Sequence, residues 1–192
     1  MLEDLIISRV RVKILKLFLL NPSSIFHVRE IVRQTKEEIN AVRRELAHME
    51  KHSMVSKEPR GNRLYYTFRK DYPLYFDLLS LVAKTSNLGA DILKNKNKLG
   101  KIKFAMISGR FVRGKPFGPD DVDLLIIGQK IVLPELSQII RAEEARRGRE
   151  LNYTVMSEEE LNFRKKRRDP FIVSILGSCR VMLIGDEEEL VG

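Results

Sequence analysis

The chain has 192 residues, 43% hydrophobic and 32% charged, enough for one large domain or two small ones of about 100 residues each. Its net charge of +9 favours polyanionic partners and says nothing of fold. The single cysteine, Cys179, excludes an intrachain disulfide and a cysteine cage for a metal. No apolar run approaches the roughly 18 to 20 residues of a membrane span, so the expectation is a cytoplasmic chain with no membrane partner.

The basic excess is uneven. Residues 1–70 hold 15 Lys/Arg against 8 Asp/Glu, a net +7, whereas residues 71–192 hold 20 against 18, a net +2. A basic front half suggests nucleic-acid binding there.

Residues 2–20 set Leu5, Val10 or Val12, Ile14, Leu17 and Phe18 at helical spacing, with Arg9, Arg11, Lys13 and Lys16 between them. That pattern predicts an amphipathic helix, unlike a signal peptide, and Asn21-Pro22-Ser23 ends it. A short apolar segment, Ile25-Phe26-His27, precedes a second helix over 28–34. Residues 35–38, Thr-Lys-Glu-Glu, read as a capping box in which Thr35 accepts the amide of the third helical residue and Glu38 reaches back. A third helix then carries Ile39, Val42, Leu46 and Met49 as a core stripe, leaving Lys36, Asn40, Arg43 and Arg44 off it, and Glu45 is spaced to screen these charges. Residues 54–58 and 64–68 are strands of a hairpin whose tip, Pro59-Arg60-Gly61-Asn62-Arg63, is basic. His27, His48 and His52 have no carboxylate or cysteine at ligand spacing.

This order resembles the winged helix-turn-helix family of the general ArsR or MarR type. The resemblance implies that the third helix reads the major groove of double-stranded DNA and the hairpin touches phosphate or the minor groove. It assigns DNA contacts to Lys36, Asn40, Arg43, Arg44, Arg60 and Arg63; Arg and Asn suit base edges, and wing arginines suit phosphate.

Leu74, Phe76, Leu78, Leu79, Leu81 and Val82 form a strongly apolar helical segment. It suits a homodimer helix or packing between two domains. A further helix over 85–100 is expected to end at Gly100.

In the remainder, residues 102–107, 122–127, 151–156 and 181–184 read as strands, 134–147 as a helix, and Ser157-Glu158-Glu159-Glu160 as a capping box opening another. That helix runs into Arg164-Lys165-Lys166-Arg167-Arg168, which reads first as a solvated, dipole-favouring end. Cys179 reads as a small core residue, since no histidine follows residue 52.

On a strand, Asp121 and Asp123 point to one face, and two converging carboxylates suit a hard divalent cation. Asp121 also fits turn chemistry with Gly118, Pro119 and Asp120. Asp123, flanked by Val122, Leu124 and Leu125, needs a partner: a metal, or an arginine such as Arg110 or Arg113.

Residues 106–128 are similar to the motif of the minimal, polymerase-beta-like nucleotidyltransferases: a Gly-Ser turn, an Ala-Arg-Gly run and Asp-x-Asp in an apolar strand. Gly109 matches the glycine, Val112-Arg113-Gly114 the run, and Asp121-Val122-Asp123 the acids. The resemblance implies Mg2+ with a nucleoside triphosphate, metal ligands Asp121 and Asp123 completed by Glu150, and nucleotide contacts at Gly109, Arg110 and Arg113. Arg110 stands where the family has serine, and Glu150 is the only acid near the third strand. Both departures point to a degenerate domain.

The expected fold is α+β: a winged helix-turn-helix over 1–72, a helical linker or dimer segment over 73–98, and a small α/β nucleotidyltransferase-like domain with a mixed sheet over 99–192. The expected function is a DNA-binding transcriptional regulator. The alternative is an Mg2+-dependent nucleotidyltransferase of the antitoxin-like type that modifies a protein or RNA partner, a toxin-like protein among them.

Overall fold

A computed structural model of the chain describes residues 6–115, 118 and 121–192. Leu2 and Leu5 of the expected first helix, and Pro119 and Asp120 of the expected turn, lie outside the described residues. The chain is α+β and divides into two compact units, residues 1–85 and 86–192. No helix among the described residues is long and apolar enough to cross a membrane.

The first unit begins with α1 (Arg9–Leu20), opened by Ser8, whose Oγ accepts the Arg11 amide at 3.2 Å. Its buried residues are Val12, Ile14, Leu15, Phe18 and Leu19. β1 (Phe26–His27) leads into α2 (Val28–Thr35), and α3 spans Ile39–Lys51. β2 (Val55–Arg60) and β3 (Arg63–Phe68) form a hairpin, and β1 joins β3 to complete an antiparallel sheet of order β1-β3-β2. The strands run closer to the tip than their apolar pattern suggested, with Arg60 opposite Arg63 across the two-residue turn Gly61-Asn62. Gly61 has φ +56, the positive value that the first position of such a hairpin turn demands. Pro59 is tolerated because β2 is an edge strand.

α4 (Tyr75–Thr85) packs on α1. Tyr75, Leu79 and Val82 are its buried residues, whereas Leu74 and Phe76 are exposed. Phe18 meets Phe26 edge-on at 5.6 Å between centroids, and Phe68 lies 6.3 Å from Phe18 and 5.9 Å from Tyr75. This aromatic chain ties α1, β1, β3 and α4 into one core. Each such buried side chain contributes about 1.5–3 kcal/mol.

The expected capping box is displaced. Thr35 belongs to α2, its hydroxyl donating to the Ile31 carbonyl at 2.7 Å, and Lys36 ends that helix with φ +54. Glu38 alone caps α3, its carboxylate accepting the amides of Asn40 at 2.8 Å and Ala41 at 2.9 Å. A threonine inside a helix satisfies its hydroxyl on the turn behind it and is then lost to the next helix.

The second unit holds α5 (Asn87–Asn95), β4 (Lys101–Ser108), α6 (Gly109–Val112), β5 (Leu124–Gln129), α7 (Leu133–Arg147), β6 (Tyr153–Met156), α8 (Glu158–Lys166), α9 (Pro170–Gly177), β7 (Arg180–Ile184) and α10 (Glu187–Val191). α5 ends at Asn95, not at Gly100: the Asn95 carbonyl takes the amides of Lys98 and Leu99 and turns the chain early. The sheet is mixed, in the order β6-β5-β4-β7; β4 is antiparallel to β5 and β7, and β5 is parallel to β6. A parallel pair needs a crossover, and α7 supplies it. Phe104, Met106, Leu125 and Ile127 pack with Met156, Leu161, Ile172, Ile175 and Leu190, so one face of the sheet is covered by α8, α9 and α10. The alternate residues Ala105, Ile107, Leu124 and Ile126 are buried too, which explains the unbroken apolar runs of the two central strands. The expected elements leave out α6, α9 and α10. α9 begins with Asp169 accepting the amides of Phe171 and Ile172, followed by Pro170, a start signal present in the sequence.

Candidate functional site

In the first unit, α3 buries Val42, Leu46 and Met49 and exposes Asn40, Arg43 and Arg44. The two acids at its start are engaged locally: Lys13 Nζ meets Glu37 at 2.5 Å, and Glu38 holds the helix amides. Those amide bonds, with Arg44 and Arg43 nearby, keep the Glu38 carboxyl below its ordinary value. Glu45 does not screen the exposed arginines. It turns to α1, accepting Ser8 Oγ and pairing with Arg11 Nε at 2.8 Å. The outer face of α3 therefore keeps its positive charge. Lys36 is exposed on the turn before the helix.

On the hairpin, Arg60 is less available than its position suggests. It forks onto Glu58 with two contacts of 2.9 Å and stands over the Tyr65 ring at 5.3 Å. Arg63, its neighbour across the turn, is exposed and makes no ion pair among the described residues. His48 and His52 stack at 4.4 Å, and His27 caps α2 through Nδ1. Among the described residues, neither arrangement belongs to a group of three or more possible metal ligands.

In the second unit the acid pair sits before β5, not within it, because the strand begins at Leu124. Asp123 is 2% exposed. Its partner is an arginine, and neither of the two the sequence suggested: Arg149 Nη1 meets Oδ2 at 2.9 Å and Nη2 meets Oδ1 at 3.2 Å. The Asn152 amide adds a contact of 3.2 Å to Oδ2. Asp121 accepts the Gly118 amide at 2.6 Å and pairs with Arg110 Nη2 at 3.3 Å. This is turn chemistry plus a guanidinium. Glu150 precedes β6, is exposed and contributes its carbonyl to Arg149. It does not join Asp121 and Asp123 in a contact.

Gly109 opens α6 and abuts the residue before β7: its amide donates to the Cys179 carbonyl at 2.6 Å, and a Cβ there would lie 2.8 Å from that oxygen. The glycine is required by close backbone approach. Arg113 Nε donates to the Gly109 carbonyl at 2.9 Å. Cys179 is exposed, not a core residue, because its carbonyl faces Gly109 and its side chain turns outward. Ser108, Arg110, Arg113, Asp121, Ser178 and Cys179 line a pocket of about 150 Å3.

A divalent cation asks for carboxylate oxygens free to converge on one point. Here both oxygens of Asp123 face a guanidinium, and Oδ2 of Asp121 is held by an amide and a second guanidinium. Among the described residues no group of three or more His, Cys, Asp or Glu side chains is placed to hold a metal ion. As they stand, the described residues do not fit Mg2+.

A second charged centre supports this one. Glu143 on α7 is fully buried and pairs with Arg146 at 2.8 Å and Arg147 at 2.7 Å, while Arg146 reaches Asp91 on α5 at 2.6 Å. The Arg147 guanidinium lies 3.7 Å from the Phe111 ring centre, and Arg149 lies 5.4 Å from it. Phe111 is thus clamped, which fixes α6 and the two arginines, Arg110 and Arg113, on either side of it. The spacing of Glu143 to Arg146 and Arg147 was visible in the sequence; the burial of Glu143 was not.

No family model matches the sequence, and no curated protein or solved structure is similar enough to it to count as a relative.

Proposed function

We propose that the chain is a DNA-binding transcriptional regulator. Its first unit is a winged helix-turn-helix domain that places α3 in the major groove. Its second is a nucleotidyltransferase-like domain in which arginines hold the acids that a catalytic relative would give to metal. The observation that carries the reading is the outer face of α3, where Asn40, Arg43 and Arg44 stand opposite the buried stripe and neither arginine forms an ion pair among the described residues. Arginine and asparagine suit the edges of guanine and adenine. On the hairpin, Arg63 is the stronger candidate for a phosphate, since Arg60 already serves Glu58. The exposed Leu74 and Phe76 at the start of α4 are where a second copy would dock to form a homodimer.

Fluorescence anisotropy with full-length protein and labelled duplex DNA tests the reading. Binding at low salt that weakens steeply as salt rises, and that Arg43→Ala with Arg44→Ala reduces, supports it. No affinity for duplex at low salt removes it.

A further inference from the structure

The basic run at the end of α8 plays no part in the function proposed above. Ser157 caps this helix, and Leu161 is its buried residue. The acids near the run engage only its first member, Arg164, or residues outside it. Glu158 pairs with Lys103 at 2.9 Å, Glu160 with Arg164 at 2.7 Å, and Asp169 caps α9 while meeting Arg164 at 3.4 Å. Among the described residues, Lys165, Lys166, Arg167 and Arg168 take part in no ion pair. Phe163, one turn earlier, is 55% exposed, and the Arg167 guanidinium lies over its ring at 4.4 Å. Arg168 has φ +50, a left-handed conformation that glycine or asparagine adopts at lower cost.

The helix dipole accounts for cations in the last turn, Arg164 to Lys166. It accounts neither for Arg167 and Arg168, which lie beyond the helix, nor for a large aromatic ring left in water beside them. Cations alone would serve the phosphates of a duplex. An exposed ring stacked with a guanidinium serves a base only where that base is free of its own stack.

We propose that segment 163–168 binds single-stranded DNA, with Lys165, Lys166 and Arg168 along the phosphates and the Phe163–Arg167 pair as the platform for one unpaired base. The choice of DNA over RNA rests on the function proposed above; the single-stranded preference rests on Phe163 and Arg167.

The experiment titrates the full-length protein into labelled oligo-dT and, separately, into a blunt-ended duplex. The expected result is oligo-dT binding that Phe163→Ala weakens about fivefold or more. Lys165→Gln, Lys166→Gln and Arg168→Gly together lower its salt slope by about 2. Arg168→Gly removes the charge and relieves the left-handed backbone, so a melting curve like that of the parent accompanies the loss. These variants leave duplex binding unchanged, and Arg43→Ala with Arg44→Ala has the converse effect, so the two surfaces fail separately. The proposal is overturned by no affinity for oligo-dT at low salt, by variants that bind it as the parent does, or by binding confined to an RNA strand of the same length.

Discussion

Arg149 closes on Asp123 through two parallel contacts of 2.9 and 3.2 Å, although 26 residues separate them in sequence. The pair is lopsided: Asp123 is 2% exposed and Arg149 keeps a quarter of its side chain in water. Removing the arginine strands a buried charge, whereas neutralising the acid leaves a cation that can reach solvent. Arg149→Ala is therefore expected to cost about 3 kcal/mol and Asp123→Asn about 1–2 kcal/mol. Urea denaturation of the single and double variants measures both, and the double variant should cost less than the sum. Equal costs would show that Arg149 is not the charge Asp123 depends on.

The same pair bears on metal. A ligand that binds only the folded chain raises its stability in proportion to the logarithm of ligand over dissociation constant. With guanidinium groups on both acids, millimolar Mg2+ and EDTA are each expected to leave the melting temperature of the parent protein unchanged. A rise with Mg2+ that Asp123→Asn abolishes would return the site to the metal-dependent class.

Glu143 offers a stricter test of burial. It is fully buried, and its two arginines keep about 40% and 25% of their side chains exposed. Glu143→Ala leaves Arg146 with Asp91 and Arg147 with Phe111, so the arginines keep partners. Glu143→Leu is expected to fold with stability within about 2 kcal/mol of the parent, because the two arginines it leaves behind are part-exposed and keep Asp91 and Phe111 as partners. Arg147→Ala should cost more, since it uncovers both a buried acid and the Phe111 ring. Comparison of the two denaturation midpoints decides the order.

What was legible in the sequence follows the range of each interaction. The stripe Val42, Leu46, Met49 and the apolar runs of β4 and β5 are periodic, and periodicity survives folding because neighbours along the chain share one face. The cap of α3 lies three residues beyond the expected one because Thr35 and Glu38 can each cap a helix, and the choice between them depends on where α2 stops. The hold of Arg149 on Asp123 left no local trace. The sequence demanded a partner for Asp123, and only the parallel pairing of β5 with β6 brings residue 149 to it. Tyr75 escaped notice among the leucines around it because its burial depends on Phe68, a residue on another element.

Gly109 separates structure from function at the resembling turn. A methyl group there would stand 2.8 Å from the Cys179 carbonyl, a backbone atom that β7 holds in place. Gly109→Ala is expected to destabilise the protein by about 1–3 kcal/mol. The loss should appear in denaturation with no ligand present. Normal stability would mean that the backbone yields and that the glycine is needed for something else.

Acid stability should fall in two steps. The His48 ring is held below its ordinary value of 6.5, first by burial and then by Arg11 and His52. The unfolded chain therefore takes up the proton first, and stability present above 6.5 is lost as pH falls through the lower native value. Glu45 behaves likewise further down. Burial would raise its carboxyl, but the Ser8 and Arg11 bonds outweigh that and hold it below 4.5. Its contribution is present above 4.5 and lost below. His48→Gln should flatten the first step and Glu45→Gln the second in melting temperature against pH.

The hairpin gives a prediction of opposite sign to the usual loss of function. Glu58 takes the Nε–Nη2 edge of the Arg60 guanidinium, and each group stabilises the charge of the other. A phosphate must compete with that carboxylate for Arg60 but not for Arg63. Arg63→Ala is therefore expected to weaken duplex binding more than Arg60→Ala, and Glu58→Gln is expected to strengthen it by releasing Arg60. Releasing one cation for a phosphate steepens the salt slope by about 0.9, so anisotropy titrations of Glu58→Gln at several salt concentrations should show tighter binding and a steeper line. An unchanged slope would mean that Arg60 stays off the DNA even when it is free, and the wing contact would then rest on Arg63 alone.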